Sequence, residues 1–254
     1  MSKRIPVIAA NWKMYKTKDE ALAFIFAVNE KVPTRDKVES VVCAPAILLN
    51  LLVKREGDNL RIGAQNMHYA EEGAFTGENS PAQVKTSGAE YILIGHSERR
   101  SYFNETDETV NLKMHAAFKH ELTPILCVGE QLAERESNST KAVLDSQLEI
   151  AFKGISAEQA LATIIAYEPV WAIGTGKTAT PTMANDTIKD IRAKVEALYG
   201  KAVADGIRIL YGGSVKPDNI KVLLAESDID GALIGGAALD PNNFLVFTDA
   251  ALNK

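Results

Sequence analysis

The chain has 254 residues, enough for one large domain or two small ones, and a core of this size needs no disulfide or structural metal. Its 46% hydrophobic and 24% charged residues are typical of globular proteins. The formal net charge of −5 argues against a nucleic-acid partner, which favours a clustered basic surface, but leaves room for a local positive site that binds a small anion.

The cysteines and the amino-terminal segment bear on the cellular compartment. Cys43 and Cys127 lie inside apolar runs, which predicts buried, unreactive thiols. The apolar run Ile5–Ala10 is too short for a signal peptide, and no stretch approaches the roughly 20 apolar residues of a membrane span. We therefore expect a cytoplasmic protein with no membrane or nucleic-acid partner.

Short apolar runs recur along the whole chain. They are continuous rather than alternating, which predicts strands covered on both faces, as in a parallel sheet. In chain order they are Ile5–Ala10, Val38–Cys43, Arg61–Gln65, Tyr91–Gly95, Pro124–Val128, Thr163–Glu168, Arg208–Tyr211 and Gly231–Ile234. Apolar residues at three- and four-residue steps predict helices between them, among them Lys18–Glu30, Glu105–Lys119, Thr140–Phe152 and Thr182–Leu198.

Capping residues mark the ends of the predicted helices. Asp107 and Thr182 stand near helix starts, where side chains of their kind accept from free backbone N–H groups. Gly200 follows the last of the four helices, as expected of a residue that ends a helix.

The alternation of strand and helix predicts the fold class. Each strand is followed by the long crossover that parallel neighbours need, so an open doubly wound sheet and a closed barrel both fit. Eight such units in about 250 residues match the (βα)8 barrel. No Pro/Gly/Ser-rich linker divides the chain. We therefore predict a single α/β domain over residues 1–254, a TIM barrel with eight parallel strands.

Polar residues and glycines follow five of the predicted strands. Barrel enzymes carry their chemistry in the loops after the carboxyl ends of the strands, so these residues converge on one mouth. They are Asn11, Trp12 and Lys13, then His96, Ser97 and Glu98, then Glu168, then Gly212, Gly213 and Ser214, and last Gly235 and Gly236.

The paired glycines predict a phosphate site. Either pair alone is equally well explained as a tight turn, but glycine lets backbone N–H groups approach an anion closely. Loops after the seventh and eighth strands are a common phosphate site in barrels, so the two pairs together favour phosphate. Lys13 would supply the local cation, and Asn11 a side-chain amide donor.

Glu168 and His96 predict acid–base chemistry. Glu168 precedes Pro169 and is held extended, where a carboxylate removes a proton from carbon beside a carbonyl once water is excluded. His96 precedes a helix start, whose positive end is expected to lower the imidazole pKa and keep the ring neutral. A histidine at a strand end is more often structural, and the neighbouring Glu and Lys favour the catalytic interpretation. The long segment 169–179, with a glycine tip, suits a lid over a ligand.

Other motifs fail on inspection. The end of a nucleotide P-loop is suggested by Gly176–Thr178, but Trp171 stands where the first glycine is required. A dinucleotide fingerprint and a nucleophile elbow also fail, and no Cys/His/Asp spacing suits a metal. We expect neither a metal nor a cofactor.

Taken together, the chain resembles the triosephosphate isomerase family from end to end. The segments that carry the resemblance are Ala10–Met14, Gly73–Glu78, Gly95–Arg100, Cys127–Glu130, Tyr167–Ala179 and Tyr211–Ser214. The resemblance implies a cofactor-free isomerase of glycolysis and gluconeogenesis that interconverts dihydroxyacetone phosphate and glyceraldehyde 3-phosphate through an enediolate.

The resemblance also implies individual roles. Glu168 would be the base and His96 the electrophile, with Lys13 and Asn11 as electrostatic support. The phosphate would be bound by Asn11, Lys13, Gly174, Ser214, Gly235 and Gly236. Ser97 and Glu98 would support the site, Ile173 and Leu233 would enclose the Glu168 carboxylate and raise its basicity, and Tyr211 with Ser214 would hold the closed lid.

The resemblance further implies a homodimer in which the loop 66–79, with Thr76 near its tip, enters a pocket on the partner. Two residues depart from the family pattern: Tyr15 stands where asparagine is common, and Ala238 where serine is common. Another phosphate-binding barrel enzyme, or a barrel that binds a phosphosugar without turnover, remains the alternative.

Overall fold

The chain folds into a closed barrel in the computed structural model, which describes residues 4–172 and 179–254. All eight strands are parallel and each pairs with its sequence neighbours, while the first also pairs with the last. The strands are β1 Val7–Asn11, β2 Glu39–Ala44, β3 Leu60–Ala64, β4 Tyr91–Ile94, β5 Thr123–Val128, β6 Ile164–Tyr167, β7 Arg208–Tyr211 and β8 Gly231–Ile234. The predicted fold class is confirmed.

Helices cover the outside of the barrel. Within the described residues they are α1 Lys18–Val28, α2 Leu49–Val53, α3 Pro81–Thr86, α4 Ser97–Tyr102, α5 Asp107–Lys119, α6 Leu132–Glu136, α7 Thr140–Ala151, α8 Ala157–Ala162, α9 Pro181–Tyr199, α10 Lys201–Gly206, α11 Ile220–Leu224 and α12 Pro241–Leu252. Short 3₁₀ turns occupy Ala46–Leu48, Val170–Ala172 and Gly236–Leu239. None of these helices is long and apolar enough to cross a membrane.

Two apolar layers explain why the strands are apolar at most of their positions, on both faces. Alternate residues point inward, so that Val7 and Ala9 belong to a cluster that fills the barrel. Their neighbours Ile8 and Ala10 belong to the cluster between the barrel and the helices. Cys43 and Cys127 lie in the inner cluster as free thiols, buried as predicted, and burial raises the pKa of Cys43 to about 12.

Two predicted caps are wrong by one or two residues. Thr106, not Asp107, caps α5 by accepting the N–H of Thr109, and Thr180 caps α9 by accepting the N–H of Met183. Asp107 is instead the first residue of its helix, and Thr182 lies inside α9. Several Ser, Thr and Asp residues near a helix start can cap it, and backbone geometry selects among them. Gly200 ends α9 with φ +84°, as predicted.

One carboxyl group at the amino-terminal ends of the strands should make stability depend on pH. Glu56 accepts the N–H of Ile62 at 3.0 Å, and burial raises the pKa of this carboxyl to about 7, although Arg61 opposes the rise. A pKa raised above its ordinary 4.5 favours the protonated carboxyl in the folded state. The stability it contributes is therefore complete below pH 4.5 and is lost as the pH rises through about 7.

Glu56→Gln is expected to remove this pH dependence, because the amide stays neutral and still accepts the N–H of Ile62. The difference in Tm between variant and wild type should be more positive at pH 8 than at pH 5, by roughly 2 °C. Thermal unfolding followed by circular dichroism at both pH values measures it, with the exposed Glu136→Gln as the control. A Tm difference that is the same at both pH values would contradict the prediction.

Candidate active site

A cavity of about 270 Å³ opens at the carboxyl ends of the strands. Every predicted substrate-site residue that the structure describes lies on its wall. The wall is formed by Asn11, Lys13, His96, Glu168, Gly212, Gly213, Ser214, Val215, Lys216, Leu233, Gly235, Gly236 and Ala237. Gly174 and Ile173, together with the rest of 173–178 in the predicted lid, lie outside the described residues.

Local hydrogen bonds fix Lys13 at the mouth. Asn11 ends β1, and its side-chain oxygen accepts the N–H of Lys13 at 3.0 Å, while Lys13 takes a positive φ of 52°. Gln65, just after β3, donates its amide to the Lys13 carbonyl at 2.9 Å. The Lys13 ammonium then reaches Glu98, with Nζ 2.6 Å from Oε1. Because hydrogen bonds hold its backbone and an ion pair holds its ammonium group, Lys13 loses little conformational freedom when it binds an anion.

His96 stands at the amino-terminal end of α4, as predicted. Its Nδ1 accepts the backbone N–H of Glu98 at 3.2 Å, so Nδ1 carries no proton in this arrangement. The remaining ring proton belongs on Nε2, which lies 3.0 Å from Oε1 of Glu168. The imidazole is therefore oriented to donate one hydrogen bond from Nε2 into the cavity.

The predicted direction of the His96 pKa is wrong. Burial lowers this pKa, but the carboxylates of Glu168 and Glu98 together raise it by more, and the net pKa is raised from its ordinary value of 6.5. The reason is the direct contact with a buried carboxylate, which outweighs the dipole of a short helix. When the Glu168 carboxylate turns towards a ligand, this cause of the raised pKa is removed.

Glu168 is buried, and hydrogen bonds hold both its backbone and its side chain. It follows β6, its backbone N–H donates to Val128 at 2.8 Å, and its Oε2 accepts the N–H of Ser97 at 2.9 Å. Burial raises the pKa of this carboxyl, but His96 and the Ser97 N–H lower it by more, so the net pKa is lowered. The predicted rise in basicity depends on enclosure by Ile173, which lies outside the described residues, and by Leu233, which lines the cavity, so it stays a prediction.

The glycine loops bring backbone close to these side chains. A Cβ on Gly212 would lie 2.9 Å from Cγ of Glu168 and 3.1 Å from the Tyr167 carbonyl oxygen. A Cβ on Gly235 would lie 3.2 Å from Cε of Lys13, whereas Gly236 has open space before it. The two loops therefore carry backbone close to Glu168 and Lys13 where a side chain would not fit, and their role as a phosphate site stays a prediction.

Tyr211 lies behind the glycine loop Gly212–Ser214 rather than on the cavity wall. It is buried at the end of β7, and a Cβ on Gly213 would lie 2.3 Å from its hydroxyl. Burial raises the pKa of Tyr211 to about 12, although the backbone N–H groups of Ala179 and Ser214 oppose the rise. The hydroxyl thus faces Ala179, where the predicted lid segment ends.

No group of three His, Cys, Asp or Glu side chains in residues 4–172 and 179–254 is arranged to hold a metal ion.

The comparison with known protein families shows which kind of barrel this is. The family model described as triosephosphate isomerase matches residues 6–251. The chain belongs to the triosephosphate isomerase family. A triosephosphate isomerase of Lacticaseibacillus casei (strain BL23) is 52% identical over 247 residues, which are 97% of this chain and 98% of that protein.

Several supporting residues of this triosephosphate isomerase family member were not predicted from the sequence as part of the site. Gln65 holds the Lys13 carbonyl, Lys216 lines the cavity, and Gly129 packs directly against Glu168. Gly129 stands at the end of an apolar strand, which is a detectable signal. Gln65 and Lys216 carry no distinctive pattern, because their importance depends on segments far away in the chain.

A buried charge network behind His96 was also missed. Glu105 accepts the Gly95 N–H at 2.9 Å and the Lys113 ammonium at 2.5 Å, and it pairs with Arg99 at 2.7 Å. Lys113 also donates to Asn66 at 2.7 Å, at the start of loop 66–79. The two cations outweigh burial and lower the pKa of Glu105. This carboxylate therefore holds the backbone of Gly95, the residue next to His96.

Glu105→Gln is expected to lower Tm by roughly 6–12 °C, because it leaves the Lys113 ammonium and Arg99 without their carboxylate and costs about 3 kcal/mol. Adding Lys113→Met should recover part of the loss. Thermal unfolding of both variants measures this, and Asp145→Asn, in the exposed pair with Lys141, should change Tm by less than about 2 °C. Equal losses in Glu105→Gln and Asp145→Asn would contradict a role for burial.

Proposed function

We propose that this chain is a triosephosphate isomerase that interconverts dihydroxyacetone phosphate and D-glyceraldehyde 3-phosphate without a cofactor, in glycolysis and gluconeogenesis. Its family membership identifies an isomerase. The observation that supports the mechanism best is the contact of 3.0 Å between Nε2 of His96 and the Glu168 carboxylate in a cavity that also contains Lys13. A base, a neutral hydrogen-bond donor and a cation thus share one small space.

The proposed reaction begins when Glu168 removes a proton from the carbon beside the carbonyl group. The electrons of that C–H bond form the C=C bond of an enediolate, and the carbonyl oxygen takes up the negative charge. His96 donates its Nε2 proton in a hydrogen bond to this oxygen, and the Lys13 ammonium stabilises the charge. The hydroxyl proton on the neighbouring oxygen then passes to the former carbonyl oxygen, with His96 giving up its Nε2 proton to one oxygen and taking the proton of the other. Glu168 returns its proton to the carbon that had carried the carbonyl, the C=C electrons form that C–H bond, and a lone pair of the deprotonated oxygen forms the new C=O bond. A Glu base paired with a neutral His is the established pattern of triosephosphate isomerases, so these roles rest on the family as well as on the geometry.

Substrate binding must break the resting contacts of the base. The Glu168 carboxylate is bound to the Ser97 N–H at 2.9 Å and to His96 at 3.0 Å. Both of its oxygens are therefore engaged with the protein, and one must be released before it can accept a proton from substrate. Turning the carboxylate away from both donors removes the causes that lower its pKa. The base therefore becomes stronger when substrate binds, and we propose that binding of the phosphate supplies the free energy for this turn.

The phosphate group is assigned to the glycine loops. Backbone N–H groups of Ser214, Gly235 and Gly236, with Asn11 and Lys13 on the facing wall, offer the donors that a dianion needs. We include Gly174 in this set from the family resemblance. Ser97 and Glu98 support the site by binding Glu168 and Lys13, respectively.

A coupled assay of glyceraldehyde 3-phosphate isomerisation tests the function. Rapid formation of dihydroxyacetone phosphate, followed by NADH oxidation through glycerol-phosphate dehydrogenase, is the expected result. A folded protein that binds inorganic phosphate but shows no turnover would overturn the proposal in favour of a phosphosugar-binding barrel. Turnover of another phosphorylated sugar alone would favour a different barrel enzyme.

We further propose a homodimer that assembles through the segments that follow β1 to β4. Large apolar side chains are exposed on all four segments, with Met14 at 95% and Ile47 at 92% exposure, together with Tyr15, Phe75 and Tyr102. Such a collection is typical of a protein interface. Sedimentation should give a dimer, and a stable, active monomer would refute the proposal.

A cytoplasmic location completes the proposal. Its support is the glycolytic reaction itself and the two buried free thiols, which form no disulfide. Cell fractionation with activity assays would test it, and activity confined to an exported fraction would overturn it.

A further inference from the structure

Two lysines line the cavity, and the mechanism uses one of them. Lys13 is paired with Glu98, with 2.6 Å between Nζ and Oε1, so most of its charge is balanced before substrate arrives. Lys216 is exposed and forms no ion pair with any residue in 4–172 or 179–254. Among the described residues that line this cavity, Lys216 is therefore the cationic side chain without an ion-pair partner.

The charge of the surroundings makes this lysine significant. The chain has a formal net charge of −5, and Glu168 adds a carboxylate to the cavity itself. A dianionic substrate approaching such a protein is repelled at long range unless a local cation reverses the potential at the mouth. Because Glu98 balances Lys13, Lys216 is the described lining residue that can reverse the potential at the mouth.

The backbone around Lys216 is held close to the phosphate loop. Its N–H donates to the side-chain oxygen of Asn219 at 2.8 Å, and the Asn219 amide donates to the Ser214 carbonyl at 3.1 Å. Asn219 also donates its backbone N–H to the Lys216 carbonyl at 3.1 Å. These bonds close a tight turn, so the lysine begins two residues from Ser214 in a fixed backbone position.

We propose that Lys216 guides the phosphate group of the substrate into the cavity and strengthens its binding, while taking no part in the proton transfers. The inference rests on the proposed function, because it concerns the phosphate end of the same substrate. It assigns to one exposed side chain the long-range attraction that the ion-paired Lys13 cannot supply.

Lys216→Met should lower kcat/KM for glyceraldehyde 3-phosphate by roughly 3- to 10-fold at about 10 mM ionic strength. The loss should shrink to less than about twofold at about 0.5 M salt, where the Debye length falls below about 5 Å. Because the interaction with phosphate is the same in ground and transition states, kcat should stay unchanged. Lys216→Glu should show a larger loss, and Lys216→Arg should retain the wild-type value.

Three comparisons separate guidance from a structural role. Lys221→Met removes an exposed lysine of α11 outside this cavity and should leave kcat/KM unchanged. Glyceraldehyde, which lacks the phosphate group, should be isomerised equally by wild type and Lys216→Met. The dissociation constant of inorganic phosphate, measured by calorimetry, should rise in Lys216→Met at low salt.

A loss of kcat/KM that is independent of salt, or equal for glyceraldehyde, would overturn the inference, as would no loss at all. The dissociation constant of inorganic phosphate tests the binding role of Lys216 independently of catalysis. If the wild type proved inactive, the proposed function would fail, while a weaker affinity for inorganic phosphate in Lys216→Met would still support the binding role of Lys216.

Discussion

Glu168→Gln is expected to lower kcat by roughly 10³- to 10⁴-fold, because a neutral amide cannot accept the substrate proton. The amide is close in shape to the carboxylate, and its oxygen can still accept the Ser97 N–H that Oε2 accepts at 2.9 Å. Folding and binding of inorganic phosphate should therefore be retained. Steady-state kinetics in the coupled assay, together with phosphate affinity, measures both expectations.

Glu168→Asp provides the matched control for position rather than charge. It keeps the carboxylate but withdraws it by about 1.5 Å, one carbon–carbon bond. A displacement of that size is expected to cost roughly 10²-fold in kcat. A loss smaller than about tenfold in Glu168→Gln would show that another group is the base.

Gly129→Ala is expected to damage both stability and catalysis. A Cβ on Gly129 would lie 1.8 Å from the carbonyl oxygen of Glu168, far inside van der Waals contact. Gly129 cannot move away freely, because Gln147 bonds its N–H at 2.9 Å and its carbonyl oxygen at 3.1 Å. The backbone of Glu168, the proposed base, must therefore shift. We expect a loss of about 3 kcal/mol in stability, roughly 6–12 °C in Tm, and a fall in kcat of roughly 10²-fold.

Gly236→Ala is the matched control for stability. A Cβ there meets nothing within 4 Å, so Tm should change by less than about 2 °C even if phosphate binding weakens. Thermal unfolding and kinetics of the two variants give the comparison. A Gly129→Ala protein with wild-type Tm and kcat would show that the backbone beside Glu168 yields without cost.

Much of the fold could be predicted because it depends on local patterns. Continuous apolar runs separated by amphipathic stretches predict parallel strands with helical crossovers, and the closed barrel confirms them. The predicted site follows from the same pattern, since residues after the carboxyl ends of parallel strands must meet. Asn11, Lys13, His96 and Glu168 do line one cavity, and their catalytic roles stay a prediction.

The capping residues show where local patterns stop being sufficient. Thr106 and Asp107 are adjacent and both suit a helix start, yet only Thr106 has the extended backbone that lets its side chain reach the free N–H. A difference of one residue in φ and ψ is set by how the helix packs on the barrel. Composition around the position carries no information about that choice.

By itself, the sequence determined the order of strands and helices, the positions where reactive side chains emerge, and membership of a family whose motifs span the chain. Only the tertiary structure decided three things: the direction of the His96 and Glu168 pKa shifts, the close contact that excludes a side chain at Gly129, and the lack of an ion pair at Lys216 among the described residues. The reason is physical: patterns along the chain act over a few residues, whereas electrostatics and packing depend on distances between segments. His96 and Glu168 are 3.0 Å apart in space, and that contact, together with burial, shifts the pKa of both.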